Sequence, residues 1–157
     1  MSLLLAASIV AVIFIIASMS KPGHALGLND EHQLVQCPTK PNCVSSEYPD
    51  DIDHYLEAIT VPLERFNMAM SIVKQAIEDL GGHIQTENAD YIAATFSSRI
   101  FGFIDDIEYR FDREKQLIHF RSAARTGYSD FSVNENRMLQ LKKIILQKLE
   151  HPNNATP

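Results

Sequence analysis

Hydrophobic residues in this chain follow three successive rhythms. From Leu3 to Met19 they form a nearly unbroken run of seventeen residues, interrupted only by Ser8 and Ser18. From residue 26 to 53 no period holds, and Gly27, Pro38, Pro41 and Pro49 punctuate an irregular lead-in. From residue 54 onward, short alternations exchange with helical stripes. HYLEAIT (54–60) reads as a short strand with Tyr55, Glu57 and Ile59 on one side. Thr60 followed by Pro62 starts a helix. Phe66, Met70, Val73, Ile77 and Leu80 then lie at spacings of 4, 3, 4 and 3, one apolar stripe that Gly81-Gly82 ends. HIQTE (83–87) and YIAATFSS (91–98) are strands around the turn Asn88-Ala89-Asp90. FGFIDDIEYRF (101–111) sets Phe103, Ile107, Tyr109 and Phe111 against Ile104, Asp106, Glu108 and Arg110. After the turn DREK (112–115), QLIHFRS (116–122) sets Ile118 and Phe120 against His119 and Arg121. Met138, Leu141, Ile145 and Leu149 form the last stripe, preceded by Ser132 and Glu135 at the spacing of a capping box.

This order, β-α-β-β-β-β-α, predicts an α+β fold. Its economical arrangement is a single antiparallel sheet with both helices on one face, plus the N-terminal apolar helix. The chain divides into a membrane anchor or signal peptide (1–25), the lead-in with a cysteine pair (26–53), the α+β domain (54–150) and a disordered tail (151–157). The second face of the sheet has no assigned partner. It is solvated, covered by the lead-in, or used for docking.

The N-terminal run is at the short end of a bilayer-spanning helix and slightly long for the core of a secretory signal. As a signal it would be cut after Ala25, where Gly23-His24-Ala25 places small residues at the right offsets. As an anchor it stays, and the lack of Lys or Arg before it favours that reading. Lys21 alone points the following domain to the cytoplasm. Cys37 and Cys43, in CPTKPNC, point the other way. Metal would need further ligands, and the six histidines are scattered; a redox pair usually reads C-x-x-C. A structural disulfide is favoured over free thiols, and hence an oxidising compartment. The expected location is the inner membrane facing the periplasm, or the periplasm itself after cleavage near Ala25.

Charge narrows the partners. The net charge is −6, all of it carried after Ser20, and no basic patch stands out, which argues against nucleic acid. No dinucleotide, phosphate-loop, zinc-protease or serine-hydrolase motif is present, so no cofactor or metal is expected. Asp105 and Asp106 are adjacent on a strand and point to opposite faces, so they do not form a catalytic carboxylate pair. Asp105 is the odd one, because it falls on the apolar side. The stretch RSAARTGYSDFSVNENR (121–137) holds more polar groups than a connector needs. Gly127 turns the chain, and Ser129, Asp130 and Ser132 are placed to cap the following helix. Arg121, Arg125 and Arg137 are not explained by capping, because a helix N-terminus disfavours cations. Two readings stay open. The arginines are neutralised internally by Asp105, Asp106 and Asp130, or they join Ser129, Asp130 and Asn134 in a site for an anionic small molecule, a lipid head group or a protein partner. An enzyme of unknown reaction using Asp105 or Asp106 beside Arg121, or a purely structural envelope subunit, is the alternative function.

Three ordered segments, CPTKPNCVSS (37–46), SSRIFGFIDDIEYRFD (97–112) and IHFRSAARTGYSDFSVNENR (118–137), resemble the signatures of the domain-of-unknown-function family numbered 1499. The resemblance covers roughly 28–149. It implies a bacterial or organellar protein, commonly with an N-terminal apolar segment, and it implies no activity. The family pattern has an arginine-rich turn just after the position of Asn134; here that turn reads Asn134-Glu135-Asn136-Arg137, and only Arg137 carries over. The expectation is therefore a membrane-associated extracytoplasmic domain, non-enzymatic, tethered through residues 3–19.

Overall fold

Alternation in the middle of the chain builds the sheet. The computed structural model describes residues 23–98 and 100–151, together with Ser8, Ala11 and Val12. The expected anchor helix, those three positions aside, and the tail beyond His151 lie outside the described residues. Among the described residues no helix is long and apolar enough to cross a membrane. The strands are β1 (Cys43–Ser45), β2 (Ile59–Thr60), β3 (His83–Glu87), β4 (Tyr91–Ser97), β5 (Ile104–Asp112) and β6 (Leu117–Ala124); the helices are α1 (Phe66–Asp79), entered through a 3-10 turn at Leu63–Arg65, and α2 (Val133–Glu150).

All strand pairings are antiparallel, in the order β1-β6-β5-β4-β3, with β2 sharing the β6 edge with β1. The fold is α+β, one antiparallel sheet with both helices packed on one face. Ile92, Ala94 and Phe96 of β4, Ile107, Tyr109 and Phe111 of β5, and Ile118 and Phe120 of β6 supply the sheet's half of the core. Val73 and Ile77 of α1 and Met138, Leu141, Ile145 and Leu149 of α2 supply the other half. Complete burial of a residue such as Ile77 or Ile107 contributes roughly 1.5–3 kcal/mol. Met70 and Leu80 from the sequence stripe are only partly buried, while Ala69, Ile72 and Ala76 take the inner positions of α1. Gly81 closes α1 at φ +82°, and Gly82 permits close packing: a Cβ there would lie 2.5 Å from Phe96 Cε2.

The structure corrects four boundaries. The strand expected over 54–60 is only Ile59–Thr60, because Tyr55 bridges Ser45 in parallel while the chain turns through Asp51–His54. The lead-in is not wholly irregular, since β1 lies within it and extends the sheet beside β6. β5 starts at Ile104 rather than Phe101: Gly102, at φ +68°, and the Ser98–Phe103 hydrogen bond close a turn first. Ser132 does not form the capping box. It sits at φ +60° with no side-chain cap, and Asp130 takes the role, accepting from the Ser132 amide at 3.1 Å and the Asn134 amide at 2.8 Å.

The second sheet face is covered by the lead-in. Leu34 is fully buried against Tyr91 and Ala93, with Ala25 and Leu28 packed alongside. The Gly27 amide donates to Glu108 Oε1 at 2.8 Å. Cys37 and Cys43 form a disulfide with their Cα atoms 5.7 Å apart, and Asn42 binds across to the Gly127 carbonyl at 3.1 Å.

Candidate functional site

Strand alternation sends Asp106, Glu108 and Arg110 of β5, and His119 and Arg121 of β6, toward the lead-in. An open sheet face would leave them in water. Beneath the lead-in they are buried instead, and every charge needs a partner. They meet that need in a row. Arg125 holds Asp106 with two bonds, Nε to Oδ2 at 2.8 Å and Nη2 to Oδ1 at 2.7 Å. Arg121 Nη1 donates to Glu108 Oε2 at 3.0 Å, and the other Glu108 oxygen accepts from Tyr91 Oη at 2.7 Å and from Gly27. Arg110 grips Glu47 of the lead-in, with Nη2 to Oε1 at 2.6 Å and Nε to Oε2 at 3.2 Å, and reaches Asp112 at 3.3 Å. The Asp106 bonds hold the Arg125 guanidinium above its ordinary range. Burial, and then the charge of Glu108, pushes the Tyr91 phenol up.

His119 ends the row. Its Nδ1 lies 3.2 Å from the Ser46 carbonyl and 3.7 Å from Glu47 Oε2. Burial draws its pKa below the ordinary value, against the pull of Glu47. A cavity of about 370 Å³ between the lead-in and β6 is lined by His119, Glu47 and Tyr55. A neighbouring cavity of about 600 Å³ shares Glu47 and Gln33 and adds His54 and the carboxylates of Asp50, Asp51 and Asp53. Among the described residues, no cluster of three or more His, Cys, Asp or Glu is placed to hold a metal ion.

The rest of the sequence-derived cluster lies elsewhere. Asp105 points to the helix face, where Arg137 Nη2 meets its Oδ2 at 2.9 Å and the guanidinium lies 4.8 Å from the Phe96 ring centroid. Burial raises the Asp105 pKa despite that arginine. Asn134, fully buried, bridges Ser122, Asp130, Asn42 and Arg137. Ser129 Oγ accepts from the nearby Phe131 amide, at 3.3 Å. The sheet therefore divides the cluster. Arg121, Arg125 and Asp106 share the lead-in face, whereas Asp105, Asn134 and Arg137 share the helix face. The sequence reading of the cluster missed Glu108, Glu47, Arg110, Tyr91 and His119. Three of these carried a signal, being the polar members of alternating strands, but their burial depends on the lead-in.

What this arrangement can do chemically is limited by its pairing. Each of the three arginines meets a buried carboxylate, although Arg137 also lines a cavity of about 300 Å³ with Leu80 and Phe96, and Arg121 and Asp105 are separated by the sheet. Neither the curated proteins nor the solved structures give a match to this chain. The family described as "Protein of unknown function (DUF1499)" does, over residues 33–145, a span that runs from the buried lead-in through the three arginine pairs of the covered face and into α2. On that match, the chain belongs to this family of unknown function.

Proposed function

We propose that this chain is a non-enzymatic extracytoplasmic domain held at a membrane by residues 3–19, and that its arginine–carboxylate row locks the disulfide-pinned lead-in onto the sheet. Its dealings with a lipid head group or protein partner then take place at its surface. The observation that carries this reading is the pairing of Arg121, Arg125 and Arg137, each with a carboxylate of its own chain. An anion would have to displace a buried carboxylate, leaving that charge unpaired at a cost of several kcal/mol. An enzyme built on Asp105 beside Arg121 is disfavoured by the sheet between them. The Cys37–Cys43 disulfide supports an oxidising compartment, and the apolar run supports the tether.

Membrane fractionation with thiol alkylation tests it. The expected result is a membrane-bound protein in which neither cysteine reacts until reductant is added. A protein in the soluble fraction with two free thiols would refute both the tether and the compartment.

A further inference from the structure

The two ends of the sheet differ in chemistry. At one end the turns after β3 and β5 carry Asn88, Asp90, Arg113, Glu114 and Lys115, polar and mostly exposed. The other end carries the β4–β5 loop and the β6–α2 loop. Register makes these two neighbours, since Ser97 faces Ile104 and Asp105 faces Ala124. Large apolar side chains stand out in water here: Ile100 is 74% exposed, Tyr128 70% and Phe131 92%. Ile52, at 86%, belongs to the same end, because it lines a cavity with Asp130 and Ser132. Phe131 is held in the left-handed region at φ +55°, which costs backbone energy that its exposed ring does not recover within the domain. Scattered exposed apolar residues are ordinary, but a group gathered at one end marks a contact surface.

The path of the chain identifies what that surface meets. Gly23 packs against Arg125 at this same end; a Cβ on it would lie 3.6 Å from Arg125 Cδ. Gly23 is four residue steps from Met19, the last of the apolar run. Fully extended, they reach at most about 14 Å. Whatever holds the run is therefore close to these loop tips and distant from the polar turns.

We propose that Ile52, Ile100, Tyr128 and Phe131 form a bilayer-docking surface that seats the domain in the interfacial layer of the membrane occupied by residues 3–19. The proposal rests on the tethered reading above and goes beyond it by fixing which end faces the lipid. Tyr128 suits such a layer, with an apolar ring and a hydroxyl that stays wet.

The sequence contains no tryptophan, so a single substitution creates a unique depth reporter. Full-length Phe131→Trp and Ile100→Trp are reconstituted into phosphatidylcholine vesicles with a minority of phosphatidylglycerol and bromine-labelled acyl chains. Leu63→Trp is the control, half exposed and beside the polar end, where the Val61 amide binds Gln116. The expected result is co-flotation of all three, with Phe131→Trp and Ile100→Trp quenched at least about twofold more than Leu63→Trp. Co-flotation with equal quenching overturns the docking surface and leaves the tether standing. A blue shift without quenching also overturns it, because the face is then covered by a second copy of the chain. Failure to float overturns the tether and the docking surface together.

Discussion

Arg121 is the residue where a structural network and a binding site make the most different predictions. Its side chain is 5% exposed and its partner Glu108 is fully buried. Arg121→Met keeps the apolar stem and removes the guanidinium, leaving the Glu108 carboxylate with only the Gly27 amide and the Tyr91 hydroxyl. Those two bonds temper the loss, so the expected cost is at the lower end of that for a broken buried pair, about 3 kcal/mol. Glu108→Gln leaves Arg121 charged and unmatched, at a similar cost of about 3 kcal/mol. The double variant has no stranded charge. It also loses an Arg121 whose Nε already has no hydrogen-bond partner. Its expected cost is about 2 kcal/mol, against about 6 if the singles added, giving a coupling of about 4 kcal/mol. Urea denaturation with the disulfide intact measures this without the screening that a guanidinium salt adds. Lys74→Met, which breaks the surface pair with Glu87 at 2.6 Å, is the comparison and should cost under about 1 kcal/mol. Single variants that each lose less than about 1 kcal/mol, and that add in the double, would refute the locking role.

Other consequences follow from individual groups. The Tyr109 hydroxyl is fully buried with no hydrogen-bond partner, so Tyr109→Phe should raise stability by up to about 1 kcal/mol in urea unfolding. A clear loss would show that the hydroxyl is satisfied. Asp130→Ala should cost about 1 kcal/mol through the lost cap, whereas Ser132→Gly should be neutral or stabilising, because residue 132 sits at positive φ. The reverse ranking would restore the capping box. Burial places the folded His119 pKa below its ordinary 6.5, so the unfolded chain takes up the proton first. The stability from this group is therefore complete above 6.5 and is lost as the pH falls from 6.5 toward the folded value. The urea midpoint should fall with acidification over that window, and less steeply in His119→Gln. Equal slopes would remove His119 as the cause.

Legibility in the sequence tracked the range of the interactions. Stripes such as Met138, Leu141, Ile145 and Leu149 announced α2, because helical period and burial come from one local segment. Alternation in 101–111 separated Tyr109 and Phe111 from Glu108 and Arg110, and the misplaced Asp105 was visible as an exception; its partner Arg137 supplies the reason. What alternation does not carry is whether the polar face stays wet. Glu108 is sealed by Gly27, 81 residues earlier in a segment without period. The cluster in 121–137 looked like one site because its residues are close in sequence. Arg121 lies in β6 and Arg125 directly after its end, an even number of positions on, so they share a face, while Arg137 enters from a helix on the other. Ser132 and Glu135 had the spacing of a capping box, yet a positive φ at Ser132 left the cap to Asp130.

The guanidinium groups themselves report most directly on whether the arginines serve their own chain. Nitrogen-detected NMR of the arginine side chains resolves Nη atoms whose rotation is restrained. Arg121 and Arg125 are predicted to give split, slowly exchanging Nη signals that do not move when inorganic phosphate or phosphatidylglycerol vesicles are added. Averaged signals that shift saturably with phosphate would contradict the account, and would make the cluster a site after all.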